Sequence, residues 1–163
     1  MGLEKLKKVP IFSKYQITHH SYCDVVGALK AMPQWFNSMG YYFYEKGLSE
    51  KDIGTGHQVE SEWTASREVT EYIKFEIDVR FLVRDIKKVV LDTGEEVYWA
   101  RLLVVIDSAL VKNYRNRFGT RWYEEMMRQV YERFVVKEDV KKYLGKIFVE
   151  STNLADTIKS YLK

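Results

Sequence analysis

The sequence predicts an α+β domain: an antiparallel meander of five or six strands packed against amphipathic C-terminal helices. Three observations point there. In Thr70–Arg84, Ile73, Phe75, Ile77, Val79, Phe81 and Val83 share one parity. Tyr72, Lys74, Glu76, Asp78, Arg80 and Arg84 share the other, with Leu82 the exception. Such a period of two describes a long strand, dry on one side and wet on the other. Second, Phe118, Trp122, Met126, Val130 and Phe134 recur every fourth residue, widened by Tyr123, Met127 and Tyr131. That stripe belongs to an amphipathic helix that must lie on something. Third, the elements run strand, helices, strands, helices rather than alternating, which excludes a parallel α/β sheet.

Each element follows from local pattern. Residues 1–10 read as a basic leader that frays, with Leu3, Leu6 and Val9 among Lys5, Lys7 and Lys8. Tyr15, Ile17 and His19 alternate with Lys14, Gln16 and Thr18, a first strand over 11–20. Ser21 and Asp24 have capping-box spacing, so a helix is expected from Ser21, with Val25, Val26, Leu29 and Met32 as its apolar face. Pro33 breaks or kinks it at Met32, or opens a second short helix, Gln34 to Met39. Gly40 is a natural stop.

Strands are expected over 41–48 and 57–69, with 49–56 a loop between them. The strand over 70–84 follows at once, as in a hairpin. Alternation loses phase near Asp85, which signals a bulge before a short strand over 87–91. Asp92-Thr93-Gly94 is a turn. The last strand covers 97–112. Its even positions are nearly all apolar, and its odd positions mix Val97, Trp99, Leu103 and Val105 with Arg101 and Asp107. Two helices complete the chain. The second, over 137–163, carries Val140, Leu144, Ile147, Leu154, Ile158 and Leu162.

The 163 residues fit one domain, 1–163, large enough for a core without disulfide or metal staples. Formal net charge is +3, too small for a strong global field. One cysteine, Cys23, forbids an internal disulfide. With no apolar run of membrane-spanning length and no signal-peptide core, the expectation is a cytoplasmic protein. Aromatic residues reach 15%, led by 12 tyrosines, which suit wet cavities and interfaces as well as cores.

A strand, a helix pair over Ser21–Met39, a meander over Tyr41–Lys112 and a helix over Phe118–Phe134 resemble the helix-grip fold of the START and Bet v 1-like superfamily. The resemblance covers most of the chain as an order of elements, without a shared motif. Six strands are counted where seven are usual, and residues 137–163 form an additional helix. Residues 62–81, EWTASREVTEYIKFEIDVRF, are also similar to a stretch of small archaeal proteins, which transfers no function. The helix-grip resemblance implies a curved sheet gripping a helix, an apolar cavity between them, and binding of lipid-like ligands.

The leading expectation is therefore non-catalytic binding of an apolar or amphipathic small molecule between sheet and helix. Trp63, Phe75, Ile77, Leu102, Trp122 and Met126 would line the cavity, with Arg101 orienting an acidic head. Asp107 is the other polar group that interrupts this strand. The competing reading is a solid core with Arg101 and Asp107 in solvent at a sheet edge. A second candidate is KNYRNRFGTRW, where Lys112, Arg115, Arg117 and Arg121 interleave with Tyr114, Phe118 and Trp122. Arg binds phosphate in bidentate fashion and rings stack on bases, so this segment could meet nucleic acid, an anionic surface or a protein. Its plainer reading is a solvated connection. Self-association into a homodimer through a sheet edge or the terminal helix is a third reading.

Nothing names a reaction. A lone Asp-Thr-Gly lacks the second carboxylate that aspartic-protease chemistry shares. Gly54 and Gly56 stand before no expected helix, so a phosphate loop is not expected. His19, His20, His57 and Cys23 have no zinc spacing, so no metal or other cofactor is expected. Cys23, expected just inside a helix, reads as a small buried hydrophobe.

Overall fold

The computed structural model describes residues 8–52, 57–115, 119 and 121–162, with the backbone alone for Lys51 and Asp52. Five strands form one antiparallel sheet: β1 (Lys8–Cys23), β2 (Tyr42–Asp52), β3 (His57–Glu68), β4 (Ile73–Val90) and β5 (Glu96–Lys112). Three helices accompany them: α1 (Val25–Ser38), α2 (Trp122–Phe134) and α3 (Lys137–Ser160). The sheet order is β1-β5-β4-β3-β2, a meander whose far edge is closed by the first strand. This is the expected α+β meander backed by helices.

The parity read from the sequence is the parity of burial. Ile73, Phe75, Ile77, Val79, Phe81 and Val83 of β4 are buried, as are Ala100, Leu102, Val104, Ile106 and Leu110 of β5. Helices cover this face. Ile147, Leu154, Ile158 and Leu162 join the same cluster. Helix α3 packs on β1, β4 and β5, and α1 packs on β2 and α3. The other face carries Lys74, Glu76, Asp78, Arg80 and Arg84 toward solvent.

Strand β2 runs on through residues 49–52, within the expected loop, because β3 offers them partners; four other local expectations change. Ser21 lies in β1, paired with Ala100, and the helix begins only after Asp24. Asp24 caps it, its Oδ1 accepting from the Gly27 N–H at 2.9 Å. A Cβ on Gly27 would stand 2.1 Å from the Asp24 carboxylate, so glycine makes room for that cap. Strand β1 runs on because β5 offers partners as far as Cys23↔Tyr98. Cys23 therefore ends a strand.

Pro33 does not end α1. Ala28 and Met32 before or beside it, and Trp35 and Phe36 after it, are all buried, so both halves of the helix are held against the core. The stop comes at Gly40, φ +78, in the left-handed region. Gly40 N–H bonds Asn37 O, and Tyr41 N–H bonds Phe36 O at 2.8 Å, the paired closure of a Schellman end.

The strands expected over 70–84 and 87–91 are one strand, β4. Asp85, φ 54, forms the expected bulge, with a register shift between Arg84 and Lys87. Finally, the helix lying across the sheet is α3. Helix α2 packs against α3, and the described residues of its every-fourth-residue stripe, Trp122, Met126, Val130 and Phe134, are exposed. Of the leader, residues 8–10 belong to β1; the rest of it lies outside the described residues. No helix among the described residues is long and apolar enough to cross a membrane.

Candidate functional site

The largest change concerns what the expected cavity residues touch. Trp63, Phe75, Ile77 and Leu102 are all buried in one cluster with Ile147 and Leu154 of α3. Phe75 meets the Tyr143 ring of α3 edge-on at 6.3 Å. Trp122 and Met126 are 76% and 54% exposed on α2, so the structure does not bring them together with the other four. Trp63 Nε1 is buried with no hydrogen-bond partner among the described residues.

Arg101 lies on the opposite, open face of the sheet, and a groove forms around it. The register places His20, Arg101 and Arg84 side by side across β1, β5 and β4. The next row inward is Thr18, Leu103 and Leu82. Together with His19 and Leu102 these residues line a groove of about 360 Å³. One end is thus cationic and the floor is apolar. Trp99 adds an aromatic wall, its ring 5.1 Å from that of His20 and 5.8 Å from Lys87 Nζ.

The β4 bulge brings an acid to the cationic end of the groove. An extra residue on one strand re-aims side chains locally. Here it brings Asp85 Oδ2 to 3.4 Å from Arg101 Nε. Arg101 Nε also donates to His20 Nε2 at 3.2 Å. Arg84 makes no ion pair or hydrogen bond among the described residues. Two like charges directly opposite on neighbouring strands repel. Asp85 offsets part of that repulsion, and an anion seated between the guanidinium groups would offset more.

Further along the open face the sign reverses. Asp78 stands directly opposite Asp107, and Asp107 Oδ1 accepts from the Lys14 N–H at 2.8 Å. Leu82, Leu103, Val105 and Arg80 lie between this pair and the cationic end, and beyond Asp78 the ion pairs of Glu76 with Lys8 and Lys74 mix the signs again.

The basic segment is less available than its composition suggests. Lys112 Nζ sits 3.3 Å from Glu132 Oε2, and Arg115 Nη2 sits 3.2 Å from Glu68 Oε2. Arg121 donates to the Tyr123 hydroxyl at 2.9 Å, and the Tyr114 hydroxyl is turned onto Thr70 O at 2.7 Å. Arg117 and Phe118 lie outside the described residues.

The remaining chemical candidates are plain. Cys23 is buried, and burial, then the Asp24 charge, pushes its thiol pKa up, away from thiolate reactivity. His19 Nε2 lies 3.0 Å from Tyr22 O. No group of three or more metal-ligating side chains occurs among the described residues. Asp92-Thr93-Gly94 turns β4 into β5, with Gly94 at φ +86.

No protein-family model matches the chain, and no curated protein matches it closely enough to count as a relative.

His20, Arg84, Leu82 and Leu103 were not singled out as ligand contacts from sequence. A partial signal was present: Leu82 interrupts the wet parity of its strand, while Leu103 stands on the mixed parity of the next, beside Arg101 and Val105.

Proposed function

We propose that this protein is a non-catalytic binder of a small amphipathic anion, held on the open face of the sheet. The observation that supports this reading is the row Arg84–Arg101–His20 set directly beside the row Leu82–Leu103–Thr18. A carboxylate or phosphate head would bridge the two guanidinium groups, which present fixed forks to such oxygens. An alkyl or ring body would lie over Leu82 and Leu103. Each methylene fully withdrawn from water contributes about 0.8 kcal/mol, and an open groove recovers part of that. The acidic Asp78–Asp107 pair further along the face sets the direction, repelling a second anionic group. The role first expected for Arg101, orienting an acidic head, is retained, in a groove outside the helix-covered core.

The test is a thermal-shift and native mass-spectrometry comparison of octanoate, octyl phosphate and octanol. The anions should raise the melting temperature and octanol should not. A ligand at 100 times its Kd stabilises by about 2.7 kcal/mol. Arg84→Ala should weaken binding by about tenfold, or 1.4 kcal/mol, without lowering the unliganded stability. Equal responses to octanol and octanoate, or an unchanged Arg84→Ala affinity, would discard the groove.

A further inference from the structure

Helix α2 is inverted relative to an ordinary surface helix. Its charged side faces the protein. Arg128 is buried, with its guanidinium between Glu125 and Glu132, and Glu132 also accepts from the Tyr72 hydroxyl and pairs with Lys112. The Tyr131 ring packs edge-on against Tyr72 at 5.3 Å. These contacts fix the helix's rotation. They leave Trp122, Met126, Met127, Val130, Phe134 and Val135 turned to solvent, with Trp122 and Phe134 76% and 74% exposed. Met126, Met127, Val130 and Val135, with Tyr131, line an apolar hollow of about 320 Å³. An apolar patch of this size on an otherwise charged surface marks an interaction site.

We infer that the occupant of this face is the α2 helix of a second copy of the chain, packed antiparallel about a two-fold axis. Residues 122, 126, 130 and 134 form one i+4 ridge, and two such ridges interlock at about −50°. With the axis near residue 128, Trp122 of one copy meets Phe134 of the other, and Met126 meets Val130. The charges agree with that direction. Glu125 is turned inward onto Arg128, so the first turn of α2 presents Glu124, which also accepts from the Arg121 N–H at 3.2 Å, and the last turn presents Arg133. An antiparallel pair sets each acidic end beside the other copy's basic end, twice over. The opposed helix dipoles add to this.

The area is adequate. Trp122 and Phe134 offer roughly 200–400 Å² between them at their exposure, and the four half-exposed aliphatic side chains bring the stripe to on the order of 700 Å² per copy. A pair would bury about 1,200–1,400 Å², the lower end for a specific complex. A membrane surface is the weaker fit. The side chains of α2 comprise three acids (Glu124, Glu125, Glu132) and two bases (Arg128, Arg133), whereas anionic-lipid binders are rich in lysine and arginine.

The experiment is sedimentation velocity on the full chain from about 1 to 200 µM, the weak end of the affinities that interfaces of this area show. A concentration-dependent dimer is expected. Val130→Glu should raise its Kd at least about tenfold while leaving the circular dichroism spectrum unchanged. Arg133→Glu should weaken the dimer, and Glu124→Lys added to it should restore the affinity. A monomer throughout the range overturns the inference and leaves the face to a different partner. A dimer indifferent to Val130→Glu also overturns it and points to the β2 edge.

Discussion

Arg67 Nη2 lies 2.7 Å from Glu150 Oε1, joining β3 to α3 inside the protein. Glu150 Oε2 also accepts from the Tyr41 hydroxyl at 3.0 Å, and Arg67 Nη1 donates to Met39 O at 2.5 Å. The guanidinium stands 4.8 Å from the centre of the Tyr41 ring and 5.2 Å from that of Phe75. One half-buried cation thus ties the sheet, the end of α1 and the covering helix through a buried carboxylate. Removing one partner of such a pair strands the other's charge, which costs about 3–5 kcal/mol. Glu150→Ala and Arg67→Ala should each lower unfolding stability by roughly that amount in urea melts. Replacing both at once, Arg67→Met with Glu150→Leu, should recover much of the loss. Single variants costing under about 1 kcal/mol would show the pair to be idle.

Two tyrosines should make the fold sensitive to alkali. Burial, followed by the Glu150 charge, raises the Tyr41 phenol well above its ordinary value of 10.0. Burial, followed by the hydrogen bond to Glu132, raises Tyr72 in the same direction. The unfolded chain then releases these protons first. Their contribution is complete below about pH 10 and falls as pH rises, by up to about 1.4 kcal/mol per pH unit for each. Phenolate absorbance should show a fraction of tyrosine that ionises only with unfolding. Tyr41→Phe with Tyr72→Phe should remove it; a single smooth titration of the native protein would contradict this.

The exchange of roles between α2 and α3 has a direct mutational signature. Leu154 on α3 is fully buried, whereas Val130 on α2 is 52% exposed. Leu154→Ala should cost about 2–5 kcal/mol. Val130→Ala, measured at sub-micromolar protein, should change stability by less than about 0.5 kcal/mol. Similar losses at both positions would mean that α2 is the covering helix after all.

The strands were legible because a half-buried strand writes its environment directly into alternation. Ile73 to Val83 alternate apolar with polar, and even the bulge at Asp85 showed as a loss of phase. Which helix covers the sheet was not legible, because an apolar stripe records that a helix has a partner and not where the partner is. The stripe of α2 is as regular as that of α3, yet the rotation of α2 is set by Tyr72 and Lys112 holding Glu132 and Tyr131, contacts distant in the chain. The helix start was missed for a related reason. Ser21 and Asp24 carry the spacing of a cap, but β5 extends far enough to keep Ser21 in a ladder. The groove depends on register across three strands, bringing together residues 20, 84 and 101, and pairing of that range leaves no local trace. The apolar exception Leu82 was visible; its being opposite Leu103 was not.

The pairing of β1 with β5 also orders events in time. Lys8 finds its partner at Val111, and the ladder runs back to Cys23 opposite Tyr98. Strand β1 leaves the ribosome before β5 and must wait for nearly the whole meander to emerge before its backbone has a mate. Contacts so distant along the chain slow assembly, since the ends must meet before the pairing rewards them. Until then the free margin of β5 is open to strands from neighbouring chains, so nascent or refolding molecules are most prone to clump just before the first strand docks.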